Sequence, residues 1–472
     1  MISVKTDNLF SPEIRRILSI ASILSGFICL LLTRYSQHDS LKILWVYAMY
    51  ACFMFLIVLY KNSINKYETA IFCFLCVQLL AVVPHPNNIS TLTGTSYLLS
   101  YRYGISSRSF IATIVDFLTG GGFISWNFVW HFIFSSTVFV SFIISVCVGT
   151  TIQRAELYTK FFMILLSLLY LSCFTAPAAY FVQANFGRIE IFAIPILILI
   201  TQIINKPVIR LLIPILAVCV MAIHFILMFF YIPFILILLL YGILVKTGDC
   251  KESVQGCSFV PLLAFTVIIL IAVFLCYLLF GRSTFVFENA GSFYEYLSAR
   301  TNLNFSEGFL HMTMFAELKD HLAGWKERVN LKFQGNISIL INIPLVCLFI
   351  AFWLKCFFNT KEKAAKIFFL MPALIVLYHA PAFFLFLDFG RWMIMVLNVQ
   401  FMLLFYLVFV KDRTVLSVIQ ICGETIIPFV KRNIFFAALL CFLTAFLGPV
   451  DEISPSVRIV RVFNFFIGLT GF

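Results

Sequence analysis

The stretch from Phe259 to Phe280, FVPLLAFTVIILIAVFLCYLLF, decides the fold, because it carries no charge and is apolar on every face. An α-helix of about 20 such residues spans the roughly 30 Å hydrocarbon core of a bilayer. A membrane β-barrel would instead show segments of about ten residues with alternating polarity. The stretch therefore predicts a transmembrane α-helix.

Similar runs recur along the whole chain of 472 residues, of which 62% are hydrophobic and only 11% are charged. A soluble domain of this length needs a far more polar surface. We therefore predict an all-α, polytopic integral membrane bundle of about thirteen transmembrane helices. The predicted spans are residues 17–33, 43–60, 69–84, 128–150, 161–181, 190–204, 211–226, 229–245, 259–280, 337–354, 367–386, 392–410 and 434–449.

The net charge of +12 indicates membrane topology rather than a nucleic-acid partner. With the N-terminus inside, 19 of the 33 basic residues fall in inner segments, as the positive-inside rule expects. Eight of the other 14 fall in two long outer segments, and long segments contribute little to orientation. The charge distribution therefore predicts an internal N-terminus.

The chain is predicted to form one transmembrane domain, residues 1–472, with three segments beside the bundle. Residues 85–127 and 281–336 form two large outer loops, and residues 411–433 form an inner amphipathic segment on the membrane surface. All seven histidines map to outer segments or to the outer parts of spans. This one-sided distribution predicts a functional site near the outer interface.

The first candidate site lies in the first outer loop, where Tyr101-Arg102-Tyr103-Gly104 is followed by Arg108 and Asp116. The planar fork of arginine suits a phosphate or diphosphate, and Tyr101 is a further candidate for substrate binding. The Asp116 carboxylate can accept a proton or orient an arginine. The alternative interpretation is an interfacial loop whose arginines bind lipid head groups.

A Phe-Gly-Arg triplet occurs twice at the predicted outer mouth of a helix, and each copy has a carboxylate beside it. Arg188 is followed by Glu190, and Arg391 is preceded by Asp388. Charged residues at such an apolar boundary usually face the bundle interior or a wet cavity. The alternative is an ion pair that only marks a helix boundary.

Two histidines are candidate general bases. His224 lies on a predicted tight outer hairpin with Tyr231, and His379 precedes Asp388. A neutral imidazole can act as a base near physiological pH. A hydrogen-bonded structural histidine is the alternative for each. Arginines can stabilise a leaving diphosphate without a metal, so neither a metal nor another cofactor is expected.

The span number, the two large outer loops with arginines, the abundance of phenylalanine and the segment Tyr101-Arg102-Tyr103-Gly104-Ile105-Ser106-Ser107-Arg108 resemble the O-antigen and capsule polymerases (Wzy-like). The resemblance implies a glycosyltransferase in surface-polysaccharide biosynthesis. Such an enzyme joins polyprenyl-diphosphate-linked oligosaccharide repeat units on the outer face of the bacterial inner (plasma) membrane. Membrane lipids and a chain-length regulator are the other implied partners.

Three alternatives remain open. A C-type membrane glycosyltransferase would use a polyprenyl-phosphate sugar, but its carboxylate usually lies in the first outer segment, where Asp39 is the sole acid. A lipid-linked glycan transporter, or flippase, usually shows internal repeats. A purely structural membrane partner would not need the arginine clusters.

Overall fold

A computed structural model of the chain describes residues 11–61, 63–172, 180, 185–245, 259–316, 337–385 and 389–435. Throughout these ranges the regular structure is helical, and an isolated bridge between Ile124 and Thr301 is the nearest approach to a sheet. The prediction of an all-α fold is therefore confirmed for the described part of the chain. The helices, numbered in chain order, are α1 Pro12–Tyr35, α2 Asp39–Lys61, α3 Lys66–Val82, α4 Thr91–Ser96, α5 Ser109–Leu118, α6 Trp126–Arg154, α7 Leu157–Ser172, α8 Ala193–Ile203, α9 Ile213–Ile223, α10 Leu227–Phe230, α11 Ile232–Leu244, α12 Phe259–Phe280, α13 Ala290–Ser298, α14 Glu307–Leu310, α15 Ile337–Asn359, α16 Lys363–Leu385, α17 Phe389–Phe409 and α18 Arg413–Arg432.

Six of the described helical segments are long and apolar enough to cross a membrane: α1, α2, α6, α12, α18 and the continuous stretch of α10 and α11. The chain therefore has the character of a helical membrane protein. The number of thirteen spans and the internal N-terminus remain predictions.

The helices at the perimeter of the bundle expose more apolar side chains than the surface of a water-soluble protein usually does. Ile17 on α1 is 65% exposed, and Leu279 on α12 is 70% exposed. By contrast, α6 and α17 lie inside the bundle, where Val129 and Phe401 are fully buried. An apolar perimeter around a packed core is what lipid tails cover in a membrane bundle.

The arginine end of the bundle comprises residues 84–125, 185–192, 224–226 and 281–316. Backbone and side-chain hydrogen bonds tie these segments together across long sequence separations. Ile105 N–H donates to Thr284 Oγ1 at 2.8 Å, and Ile124 N–H donates to the Arg300 carbonyl at 2.9 Å. Residues 84–125 and 281–316 therefore form one layer at the same end, and residues 317–336 of the second predicted outer loop lie outside the described residues.

The lysine end comprises residues 60–68, 154–160, 204–212 and 359–366. Lys206 lies 5.5 Å from the ring centroid of Tyr60, and the Arg154 guanidinium lies 5.0 Å from that of Phe409. The first contact joins the loop between α8 and α9 to the end of α2, and the second joins the ends of α6 and α17.

Helix α18 runs along the lysine end rather than through the bundle. Asp412, its N-cap, accepts a hydrogen bond from the Tyr241 hydroxyl at 3.0 Å, near the end of α11. Farther along α18, Gly423 packs beside Tyr158, at the start of α7. Tyr158 lies at the lysine end, so this contact places the middle of α18 there. Its buried residues occupy one face: Val415, Val418, Ile419 and Gly423.

Candidate functional site at the arginine end

The site begins at Arg108, which is the N-cap residue of α5. The preceding turn at Tyr101–Tyr103 ends at Gly104, whose φ of +130° is a conformation that favours glycine. A Cβ on Gly104 would also lie 3.0 Å from the Phe285 backbone. This close turn directs the chain toward α5, and the half-buried Arg108 side chain donates from Nε to His224 Nε2 at 3.2 Å.

His224 lies where helix α9 ends and the chain turns toward α10. Its extended backbone (φ −159°, ψ 120°) breaks the helix, and the next residue, Phe225, donates its N–H to the Ser107 carbonyl at 3.1 Å. The Phe225 ring also stacks on Tyr277 of α12, with 3.9 Å between ring centroids. These contacts fix the histidine beside the residue that precedes Arg108.

Glu190 completes a buried triad with Arg108 and His224. It belongs to the 3₁₀ turn Ile189–Phe192 that leads into α8, and its Oε1 lies 2.9 Å from His224 Nδ1. The imidazole is 6% exposed and the carboxylate residue only 1%. A charge buried this deeply needs a hydrogen-bonded partner, and the imidazole supplies one.

The hydrogen bonds assign the proton positions of the histidine. Arginine Nε always carries a hydrogen, so His224 Nε2 is the acceptor in its bond with Arg108. Nδ1 then carries the ring hydrogen and donates it to the Glu190 carboxylate. The imidazole is therefore neutral, and its basic nitrogen points toward the arginine.

A second arginine, Arg188, lies two residues before Glu190 and is itself 7% exposed. It follows Gly187, whose φ is +84°. A Cβ on Gly187 would lie 2.6 Å from the Ile133 side chain and 2.7 Å from Thr93. Arg188 thus adds a second guanidinium to the segment that holds Glu190, and guanidinium groups suit anionic ligands.

Two tyrosines and an asparagine surround the triad. Tyr97 is fully buried, and its burial, with the nearby Tyr50 and Glu190, raises its pKa well above the usual value. Tyr231 is also fully buried, interacts electrostatically with Glu190 and accepts a hydrogen bond from Asn398 Nδ2 at 3.4 Å. The site therefore extends from Tyr97, in the first large outer loop, to Asn398 on α17.

The structure places Arg102 and Asp116 in a second group. A guanidinium nitrogen of the exposed Arg102 donates to the Gly121 carbonyl at 3.5 Å, and Asp116 accepts from Ser100 Oγ at 3.3 Å. Arg300 interacts electrostatically with Asp116 and donates to the Tyr103 hydroxyl at 3.2 Å. The sequence predicts that Asp116 accepts a proton or orients an arginine, and the structure places its carboxylate near Arg300 and a serine hydroxyl.

The other predicted site residues fall outside these two groups or outside the described residues. His379 is fully buried on α16 and stacks on the Phe230 ring, with 5.1 Å between centroids. Tyr101 lies near Cys219 of α9. Arg391 lies in the first turn of α17, but its side chain is outside the described residues, as is the whole of Asp388.

Within the described ranges, no group of three or more His, Cys, Asp or Glu side chains lies together as a metal site would require. No protein-family model matches the chain, and no curated protein or solved structure matches it significantly.

Sequence reasoning did not single out Tyr97, Asn398 or Arg300. Tyr97 follows the short helix α4, in a segment that reads as an ordinary polar loop. Asn398 lies within an apolar run, where a lone amide at membrane depth was the available signal. Arg300 lies in the second outer loop, and nothing in the sequence ties it to Tyr103.

Proposed function

We propose that the chain is a bacterial surface-polysaccharide polymerase, which joins polyprenyl-diphosphate-linked repeat units at the outer face of the inner membrane. One observation carries the proposal: Arg108, His224 and Glu190 come from three separate segments and meet in one buried hydrogen-bonded triad. Such a triad combines an anion-binding cation with a base and its orienting carboxylate, which are the groups that glycosyl transfer from a diphosphate requires.

In this proposal the guanidinium groups of Arg108 and Arg188 bind the diphosphate of the donor. The acceptor hydroxyl attacks the anomeric carbon of the donor sugar, and a carbon–oxygen bond forms between them. The bond from that carbon to the diphosphate breaks, and its electron pair stays on the diphosphate oxygen. His224 takes the proton of the hydroxyl, and Glu190 stabilises the imidazolium that results.

The arginine end lies on the outside in this proposal. Its arginines then face the leaflet where lipid-linked units arrive, and the basic residues of the lysine end follow the positive-inside rule. The apolar perimeter of α1 and α12 leaves room for the polyprenyl chain to remain in the bilayer while its diphosphate reaches Arg108.

The experiment replaces Arg108 by Ala in a host that lacks the chromosomal copy of the gene, and surface glycans are separated by gel electrophoresis. Long chains should disappear while single repeat units remain. Arg108→Lys should restore them only in part, because a point charge does not reproduce the bidentate fork. Lys206→Ala at the lysine end is the matched control and should leave chain length unchanged.

A different result would redirect the proposal. If single repeat units vanish from the surface together with the long chains, the protein moves the lipid-linked unit rather than polymerising it. If long chains persist in Arg108→Ala at normal protein levels, the polymerase proposal is wrong.

A further inference from the structure

In the triad of Arg108, His224 and Glu190, both ring nitrogens of the histidine are occupied. Nδ1 donates to Glu190 at 2.9 Å, and Nε2 accepts from Arg108 at 3.2 Å. A general base needs a lone pair that the substrate hydroxyl can reach. In this arrangement the lone pair that His224 would use is the one that Arg108 occupies.

The two partners differ in how firmly they are held. His224 is buried, Glu190 bonds its far nitrogen, and the Phe225 bond to Ser107 anchors its backbone at 3.1 Å. The Arg108 side chain is only half-buried. An incoming anion can therefore reach the half-buried guanidinium, whereas a movement of His224 would break its bond to Glu190 and the backbone bond beside it.

We propose that Arg108 masks the base until a diphosphate binds, so that arrival of the donor itself exposes His224 Nε2. This inference rests on the proposed function. Diphosphate oxygens are anionic and can accept two parallel bonds from a guanidinium, whereas the imidazole nitrogen is neutral and accepts one. A bound diphosphate therefore draws Arg108 away from the ring.

Once exposed, Nε2 accepts the proton of the acceptor hydroxyl as the oxygen bonds to the anomeric carbon and the diphosphate leaves. Arg108 then stabilises the charge that develops on the diphosphate, and Glu190 stabilises the imidazolium. The same arginine thus acts on the leaving group and on the availability of the base. Without a donor in place, the base stays occupied and does not activate water.

The ionisable groups around this pair come from several elements. They include Arg108 before α5, which bonds His224, and Tyr97 after α4 and Tyr231 before α11, which interact electrostatically with Glu190. Arg188 lies two residues before Glu190, and Tyr277 on α12 stacks on Phe225 beside His224. Of these, Arg108 bonds the basic nitrogen directly. Its departure, together with the arrival of an anion, favours the protonated imidazole.

The test is a pH titration of His224 in the purified full chain in lipid nanodiscs, by nitrogen-15 NMR of labelled histidines, with farnesyl diphosphate as the probe. His224→Gln identifies the resonance. In the wild-type chain the titration midpoint should rise by about one pH unit or more when the probe binds. Arg108→Ala should show a raised midpoint without any probe.

Two further variants distinguish an effect of the Arg108 charge from a general effect of substitution on the structure. Arg34 donates to the carbonyl of Phe117, a residue of the arginine end, at 3.2 Å. Arg34→Ala removes this cation and should leave the titration midpoint of His224 unchanged. Arg108→Gln, which keeps a neutral donor, replaces Arg108→Ala if the alanine variant does not fold, and should also show a raised midpoint.

The outcomes distinguish this inference from the function on which it rests. If the probe binds, as calorimetry measures, but the His224 midpoint stays constant, masking by Arg108 is wrong and the polymerase proposal stands. Equal midpoints in the wild-type chain and Arg108→Ala without the probe would also overturn masking. If farnesyl diphosphate does not bind at all, the diphosphate site itself is wrong.

Discussion

The two ends of the bundle use basic residues in different ways. At the arginine end, Arg108 bonds a buried histidine that in turn bonds a buried carboxylate. At the lysine end, Lys206 and Arg154 lie over the aromatic faces of Tyr60 and Phe409. Cation–π contacts at exposed sites contribute only about 0.5–1 kcal/mol. The lysine end also has an ion pair, between Lys61 and the buried Glu68. The comparison teaches that a histidine between a cation and a buried carboxylate, rather than a cation or an ion pair alone, marks a candidate reaction site.

Each end also contains one carboxylate residue that is 1% exposed, and this pair gives the largest expected contrast. Glu190→Gln removes the charge that stabilises the imidazolium, so polymerisation should fall by about 10²-fold or more with little change in protein yield. The measurement is glycan formed per folded molecule.

Glu68→Gln is the matched variant at the lysine end. Glu68 pairs with Lys61, accepts from Thr150 Oγ1 at 2.8 Å and belongs to the capping box of α3. Its loss should lower the free energy of unfolding by about 3 kcal/mol while activity per folded molecule stays the same. If both variants lose activity equally per folded molecule, the two ends do not differ in their role in the reaction.

Much of the site could be predicted from sequence, but its pairing could not. Arg108 is predicted from the arginine segment of the first large outer loop, Glu190 from its place at the outer mouth of a helix, and His224 from its place on a tight outer hairpin. Their contacts span 34 residues between Glu190 and His224, and 116 between Arg108 and His224. Local patterns specify which residues reach an end of the bundle, whereas tertiary packing decides which of them meet.

Asp116 illustrates the same limit. Its position in the first outer loop made it a candidate base beside Arg108, because the two are close in sequence. Helix α5 separates them, with Arg108 at its N-cap and Asp116 in its last turns. The carboxylate therefore interacts with Ser100 and Arg300 instead.

Two glycines provide the second contrast. Gly187 has a positive φ and lies against Ile133, so Gly187→Ala should cost about 2 kcal/mol or more and displace Arg188 and Glu190. Gly149→Ala should destabilise by about 1–3 kcal/mol, because its Cβ would lie 2.6 Å from the Glu68 backbone nitrogen. The temperature of thermal unfolding should fall in both variants. The amount of glycan formed per folded molecule should fall only for Gly187→Ala. Full activity of folded Gly187→Ala would contradict the importance of that turn.

A smaller effect is expected from buried tyrosine hydroxyls. Tyr97→Phe removes a buried hydroxyl that interacts electrostatically with Glu190 and should lower activity by about fivefold, which corresponds to roughly 1 kcal/mol. Tyr241→Phe loses the 3.0 Å bond to Asp412 and should change unfolding by a similar free energy without changing the rate. Equal rates in the two variants would remove Tyr97 from the site.

The smallest effect concerns Tyr101, whose pKa is raised from 10.0 to about 12 by burial and by the nearby Cys219. A raised pKa means that the folded chain holds the phenolic proton more tightly than the unfolded chain. The associated stability is fully present below about pH 10 and is lost as pH rises through about 12. Tyr101→Phe should therefore leave the shape of the pH–activity profile unchanged between about pH 6 and about pH 9.

Above about pH 10, the wild-type chain should lose stability that Tyr101→Phe retains, which thermal unfolding at several alkaline pH values measures. The opposite outcome is a loss of activity that begins near neutral pH in the wild-type chain and is absent from Tyr101→Phe. It would mean that Tyr101 ionises at a pH where its burial disfavours ionisation. If this loss of activity instead persists in Tyr101→Phe and its midpoint agrees with the titration midpoint of His224, the titrating group lies in the triad, and the contrast between the two ends is sharpened.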